Sequence, residues 1–179
     1  MNLPSSRVYG GWLALVRILT GLIWLIHGIP KFLNSDQFMP PNGFMASYIQ
    51  QGIARSTGPY HDFLVGVVQP NINLFAELAR LGEVCVGLSL MLGLLSRIGG
   101  LFGIVLTLNY MSARGGLDTF NAWSSLDACL MLLSAISLVL PTGRVFGVDS
   151  LFARRRARPA AVVPEFVPER PMDRPSAPP

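Results

Sequence analysis

Phe75-Ala-Glu-Leu-Ala-Arg-Leu-Gly-Glu-Val-Cys-Val-Gly-Leu-Ser-Leu-Met-Leu-Gly-Leu-Leu-Ser-Arg97 is apolar enough and long enough to cross a bilayer, yet its first half carries Glu77, Arg80 and Glu83. An ionised side chain at membrane depth costs several kcal/mol unless it finds a partner. At about 100° of rotation per residue, Asn73, Glu77, Arg80, Glu83 and Gly87 fall within roughly one third of a helix circumference. A polar seam on a lipid-compatible rod requires a second seam to face it.

That second seam lies near the N-terminus. In an apolar span over about 8–32, Arg17, Thr20, Trp24, His27 and Lys31 project within an arc of roughly 80°, with Gly21 and Gly28 beside them. Lys31 is at the far end of the span, where its stem can snorkel, and Pro30 is expected to kink or end the helix. Arg7 precedes this stretch as it would in a signal peptide. The apolar run is too long for one, Arg17 interrupts it, and no cleavage pattern follows, so the span reads as retained.

Composition agrees with a membrane protein. The 179 residues are 51% hydrophobic and 13% charged, about half the charged fraction of an ordinary soluble domain. The net charge of +4 gathers in arginines after the last apolar span, without interleaved aromatics. That pattern fits membrane topology and anionic lipid, and argues against nucleic acid.

The expected fold is an all-α bundle of four transmembrane helices, with spans at about 8–32, 70–95, 97–112 and 123–140. The connection 33–69 is read as a periplasmic helical cap. Pro40-Pro41-Asn42-Gly43 and Gly58-Pro59 punctuate it, Phe44, Met45, Tyr48, Ile49 and Ile53 recur at helical spacing, and a second short helix fits Tyr60–Val68. Residues 1–153 form the membrane domain, and 154–179 a basic then Pro-rich disordered tail. Arg7, Arg97 and the cluster Arg154–Arg158 put both termini on the cytoplasmic side of a bacterial inner membrane under the positive-inside rule. Gly99 and Gly103 give a small-x-x-x-small spacing for helix packing. Cys85 and Cys129 read as small buried hydrophobes.

Arg17, Arg80 and Lys31 against Glu77, Glu83 and Asp127 make a balanced set of buried charges, with Arg17 expected to meet Glu83. One reading is a registry device without chemistry. The other is a polar cavity open towards the long loop, with Trp24, His27 and Lys31 at its mouth, suited to a quinone head group. Trp24, Trp123 and Tyr110 also fit interfacial anchors. His27 and His61 are the only histidines. Nothing in the sequence fixes the direction of His61, which argues against haem, and no spacing recommends a metal site.

The motifs Arg17-Ile-Leu-Thr-Gly21 with His27-Gly28-Ile-Pro-Lys31-Phe32, Glu83 followed by Gly87, Leu90-Met-Leu-Gly93, Ser96-Arg97, Leu108-Asn109-Tyr110-Met111 and Gly143-Arg144-Val-Phe-Gly147-Val-Asp149 together resemble the DoxX/DoxD-like membrane proteins over roughly 8–155. The long first loop resembles the DoxD-like side, which includes the membrane subunit of a thiosulfate:quinone oxidoreductase. Carried onto this chain, the resemblance implies roles for Arg17, His27, Lys31 and Glu83. Glu77, Arg80 and Pro30 stand outside its pattern. It implies a subunit of a quinone-linked redox complex whose electron-transfer centre belongs to a protein partner. The alternative is an accessory subunit that binds lipid and neighbouring helices without chemistry.

Overall fold

The computed structural model describes residues 5–114, 125–140, 142 and 147–149. Among them the chain forms only helices and turns. Helix α1 is Ser5–Leu33, α2 Ser35–Phe38, α3 Phe44–Arg55 and α4 Gly58–Phe63, which runs into a π-helical turn at Leu64–Val68; α5 is Ile72–Leu92, α6 Ser96–Ala113 and α7 Leu126–Val139. Trp123, Ser124, Arg144, the cluster Arg154–Arg158 and the tail lie outside the described residues.

Helix α1 continues through Pro30 to Leu33, where an end or a kink was expected. The proline ring removes one N–H, but its fixed φ is helical, and the next turn closes by Asn34 N donating to Pro30 O at 2.9 Å. At the other end of the bundle, α5 stops at Gly93, whose φ of 65° is left-handed. Leu94 N donates back to Ser89 O at 3.0 Å, which satisfies a terminal carbonyl of the helix.

The four long helices close into a ring. α1 packs on α5, α5 on α6, α6 on α7, and α7 returns to α1. The α1–α5 register is antiparallel and close: a Cβ on Gly21 would sit 2.5 Å from Met91 N and 2.7 Å from Gly87 O, and one on Gly28 would meet Val84 and Glu83. On the opposite seam, a Cβ on Gly100 would sit 2.6 Å from Ser134 O, and one on Gly103 2.6 Å from Ser134 Oγ. Gly99 has its close contact instead with Ser89 on α5. Small residues let these backbones touch.

Over one end lie α2, α3 and α4. Ile49, Leu64 and Val68 form their own core, joined by Met45, Ile53, Tyr60, Ile72 and Phe75 from the start of α5.

Side chains are distributed inside out. Arg17, Thr20, Glu83, Thr107, Asp127, Ser134 and Ser137 are buried, whereas Trp12, Leu22, Ile26, Leu33, Leu78, Leu88, Phe102, Val105, Leu132 and Val139 are exposed. Cys85 and Cys129 are exposed too, contrary to the expectation of burial: the interior of the ring is taken by polar groups and glycines. By length and apolarity alone, Tyr9–Leu33 is the one described helix able to cross a membrane. α5 carries three charges, and α7 has only 14 residues.

Candidate functional site: a buried charge cluster beneath the cap

Near the capped end of the bundle, Glu83 is only 2% exposed. Its Oε1 accepts from Lys31 Nζ at 2.5 Å and from the Tyr110 hydroxyl at 2.6 Å. Two hydrogen bonds therefore converge on one carboxylate oxygen. Oε2 is buried and has no hydrogen-bond partner among the described residues. The Lys31 ammonium also lies 5.1 Å from the centre of the Phe38 ring and 5.7 Å from that of Tyr110. A cation between two aromatic faces and a carboxylate is held by both electrostatics and stem packing.

Asp127 on α7 lies within electrostatic range of Glu83, Lys31, His27 and Arg114. Its Oδ2 is 2.8 Å from Arg114 Nη1; this contact is an ion pair whose alignment falls short of a hydrogen bond. With the imidazole neutral, two cations (Lys31, Arg114) balance two anions (Glu83, Asp127). His27 is exposed on α1, and its ring Nδ1 is 2.9 Å from Ile23 O. A carbonyl only accepts, so Nδ1 carries the proton and Nε2 is the basic nitrogen.

Glu77 and Arg80 stand apart from this cluster at the rim. Arg80 grips both carboxylate oxygens of Glu77 from one turn away, donates to Ser35 Oγ at 3.0 Å and lies over the Phe32 ring. The pair ties α5 to the junction of α1 and α2.

Arg17 is at the far end of the bundle. Its guanidinium, 1% exposed, donates to Thr142 O at 2.7 Å and fills the space beneath Gly93, where a Cβ would sit 2.6 Å from Nη1. Asp149 acts on it electrostatically. The same carboxylate caps α6 by accepting from Leu95 N, Ser96 N and Ser96 Oγ at 2.8, 3.2 and 3.0 Å. The expected Arg17–Glu83 pair is thus corrected: Glu83 is met by Lys31 and Tyr110. The antiparallel register on α5 decides this, since it sets Gly28 against Glu83 and Arg17 against Gly93.

Two further expectations change. Trp24 is not at a mouth; it is 2% exposed and packed with Val86, Leu90 and Leu130 in the core. Its indole N–H, like Glu83 Oε2, has no partner among the described residues. The expected polar cavity among the charges is displaced as well. A cleft of about 300 Å³ lies instead under the cap, lined by Pro40, Pro41, Ile49, Gln50, Gln69 and Asn73 among others. Arg114 and Asp149 were not singled out from the sequence. The only hint of their roles was position, one at the end of a span and the other closing the final motif.

The family model of DoxD, described as the TQO small subunit DoxD, matches residues 12–162. The chain belongs to the DoxD family. No curated protein and no solved structure matches it.

Within this DoxD chain, Asn109 and Tyr110 divide two tasks. Tyr110 holds Glu83, while Asn109 accepts from the Tyr60 hydroxyl at 2.8 Å through Oδ1 and at 3.1 Å through its backbone carbonyl. One short segment of α6 therefore fastens both the cap and the charge cluster. Burial pushes the Tyr60 hydroxyl up to about 12, whereas an unfolded tyrosine ionises near ~10. Below the unfolded value the stabilisation is fully present; it is lost as pH rises from about 10 to about 12, because the unfolded chain releases the proton first. An ultraviolet titration is expected to show a tyrosine ionising late, and Tyr60→Phe to remove it. A titration curve unchanged by Tyr60→Phe would contradict the assignment.

Proposed function

We propose that this DoxD protein is a four-span subunit of a thiosulfate:quinone oxidoreductase-type complex in the bacterial inner membrane, with the cap on the periplasmic side. The observation that carries the reading is the inverted distribution of side chains: ion pairs and hydroxyls point inward, and leucine, isoleucine, valine and phenylalanine point outward along all four long helices. In water such a surface would be an aggregation liability, whereas hydrocarbon is its matching solvent. Helices α5, α6 and α7 can cross because their polar groups face one another.

The cluster of His27, Lys31, Glu83, Tyr110, Asp127 and Arg114 is the site at which the subunit handles protons beside a quinone. The donor set fits a head group with two carbonyl oxygens: His27 offers an exposed ring nitrogen, Lys31 is 26% exposed at its side chain, and Trp24 has an unpartnered indole N–H. A bound quinone supplies the two-electron acceptor, and the electrons come from a partner subunit. This chain's share is to orient the ring and to hold protons near it.

The test is quinone content after purification in mild detergent. Wild-type protein should carry quinone, and His27→Ala and Lys31→Ala should lose most of it while retaining helical circular dichroism. Equal content in all three samples would leave an accessory role that binds lipid and neighbouring helices.

A further inference from the structure

We infer that Glu83 is a proton-exchange site, taking a proton on Oε2 from the capped surface through Asp127 and His27. The inference rests on the membrane reading above, but not on quinone being the acceptor.

Three observations support it. First, the two oxygens of Glu83 are unequal. Lys31 and Tyr110 both bind Oε1, so Oε2 keeps its lone pairs in a place closed to solvent. A buried carboxylate oxygen without a donor costs about 1–3 kcal/mol, or more because it is charged. Protonation relieves that cost, and a carboxylic acid O–H at that position can donate as well as accept.

Second, the cluster contains a route. His27 is exposed with its basic nitrogen unused by the protein backbone; Asp127, within range of both His27 and Glu83, is partly buried; Glu83 is the most enclosed of the three. The groups are graded from surface to interior. Those facing Glu83 are Lys31 and His27 on α1, Tyr110 and Arg114 on α6, and Asp127 on α7, with Tyr48 on α3 within range of Tyr110.

Third, the charges balance before the proton arrives. Adding one leaves the cluster with a single uncompensated positive charge in a low dielectric. Uptake is therefore favoured when negative charge appears nearby, which ties proton entry to electron arrival. The step itself moves one proton from His27 to Asp127 to Glu83 Oε2; His27 regains its proton from water, and no heavy-atom bond changes.

The experiment is infrared difference spectroscopy on the full-length protein in lipid vesicles, between acid and alkaline pH, in light and heavy water. Wild type should give a protonated-carboxyl C=O band that shifts down in heavy water. Glu83→Gln should lose it, Asp127→Asn should slow its appearance severalfold after a pH jump, and Tyr110→Phe should shift it without abolishing it, because one hydrogen bond to the carboxyl is gone. Retention of the same band in Glu83→Gln, or an unmoved band in Tyr110→Phe, would overturn the assignment; Tyr110→Phe keeps the ion pair and guards against a Glu83 variant that does not fold. Failure of the quinone test with these bands present would sink the redox reading alone.

Discussion

Arg17→Met is expected to lower the unfolding free energy of the detergent-solubilised protein by about 3–5 kcal/mol, the usual cost of removing one partner from a buried ionic network. The arginine connects three pieces of chain: α1, the left-handed turn at Gly93, and the segment carrying Thr142 and Asp149. Without it the Thr142 carbonyl loses a donor, and Asp149 must cap α6 as a carboxylate with no arginine nearby. Methionine fills much of the same volume, so the loss reads electrostatics more than cavity formation. Arg17→Lys should fall between, since an ammonium keeps the charge but not the planar fork of donors. Thermal unfolding followed by circular dichroism measures the effect. An unchanged midpoint in Arg17→Met would mean the guanidinium holds nothing together.

The same variant should leave the other end of the bundle unaffected. Lys31 lies fourteen residues from Arg17 on α1, about 21 Å along the helix axis. Substitutions that far apart with no shared partner usually add within about 0.5 kcal/mol. The sequence could not reveal this separation. It could show that α1 and α5 each carry a polar seam, since helical periodicity brings Arg17, His27 and Lys31 to one side and Glu77, Arg80 and Glu83 to one side. It could not show which cation meets which anion. That depends on how far one helix is slid along the other, and sliding by a single turn changes every pair. The close approach of Gly21 to Gly87 and Met91 sets the slide, a contact visible only once the helices are packed.

Aromatic residues were the other blind spot. Tyr110 at a span end reads as an interfacial anchor, and Trp24 beside a histidine reads as a pocket wall. In the bundle Tyr110 turns inward because a buried carboxylate needs a donor, and Trp24 fills the core between α5 and α7. Asp149 was legible only as the end of a motif; its capping of α6 needed the chain to return beneath the α5–α6 turn. By contrast, the Arg80–Glu77 pair follows from spacing alone, since residues three apart on a helix are neighbours.

Lys31→Met is the complementary substitution, and it should cost about 3 kcal/mol, at the lower end of the range for buried pairs because the ammonium keeps some access to solvent. The methionine stem can still pack on Phe38 and Tyr110, so packing is largely conserved. What remains is Glu83 with one hydrogen bond from Tyr110 and no counter-ion. Glu83→Gln alone strands the ammonium in the same way, though less severely, since Lys31 can swing towards the surface. The double variant Lys31→Met with Glu83→Gln contains neither charge and should recover most of the loss, giving a coupling of about 2–3 kcal/mol in the double-mutant cycle. A pure registry device and a proton site both predict that recovery. They part on the infrared carboxyl band, which the double variant must lack even when it is as stable as wild type. If stability returns and the band persists, the proton resides elsewhere and the Lys31–Glu83 pair does no more than hold α1 in register against α5.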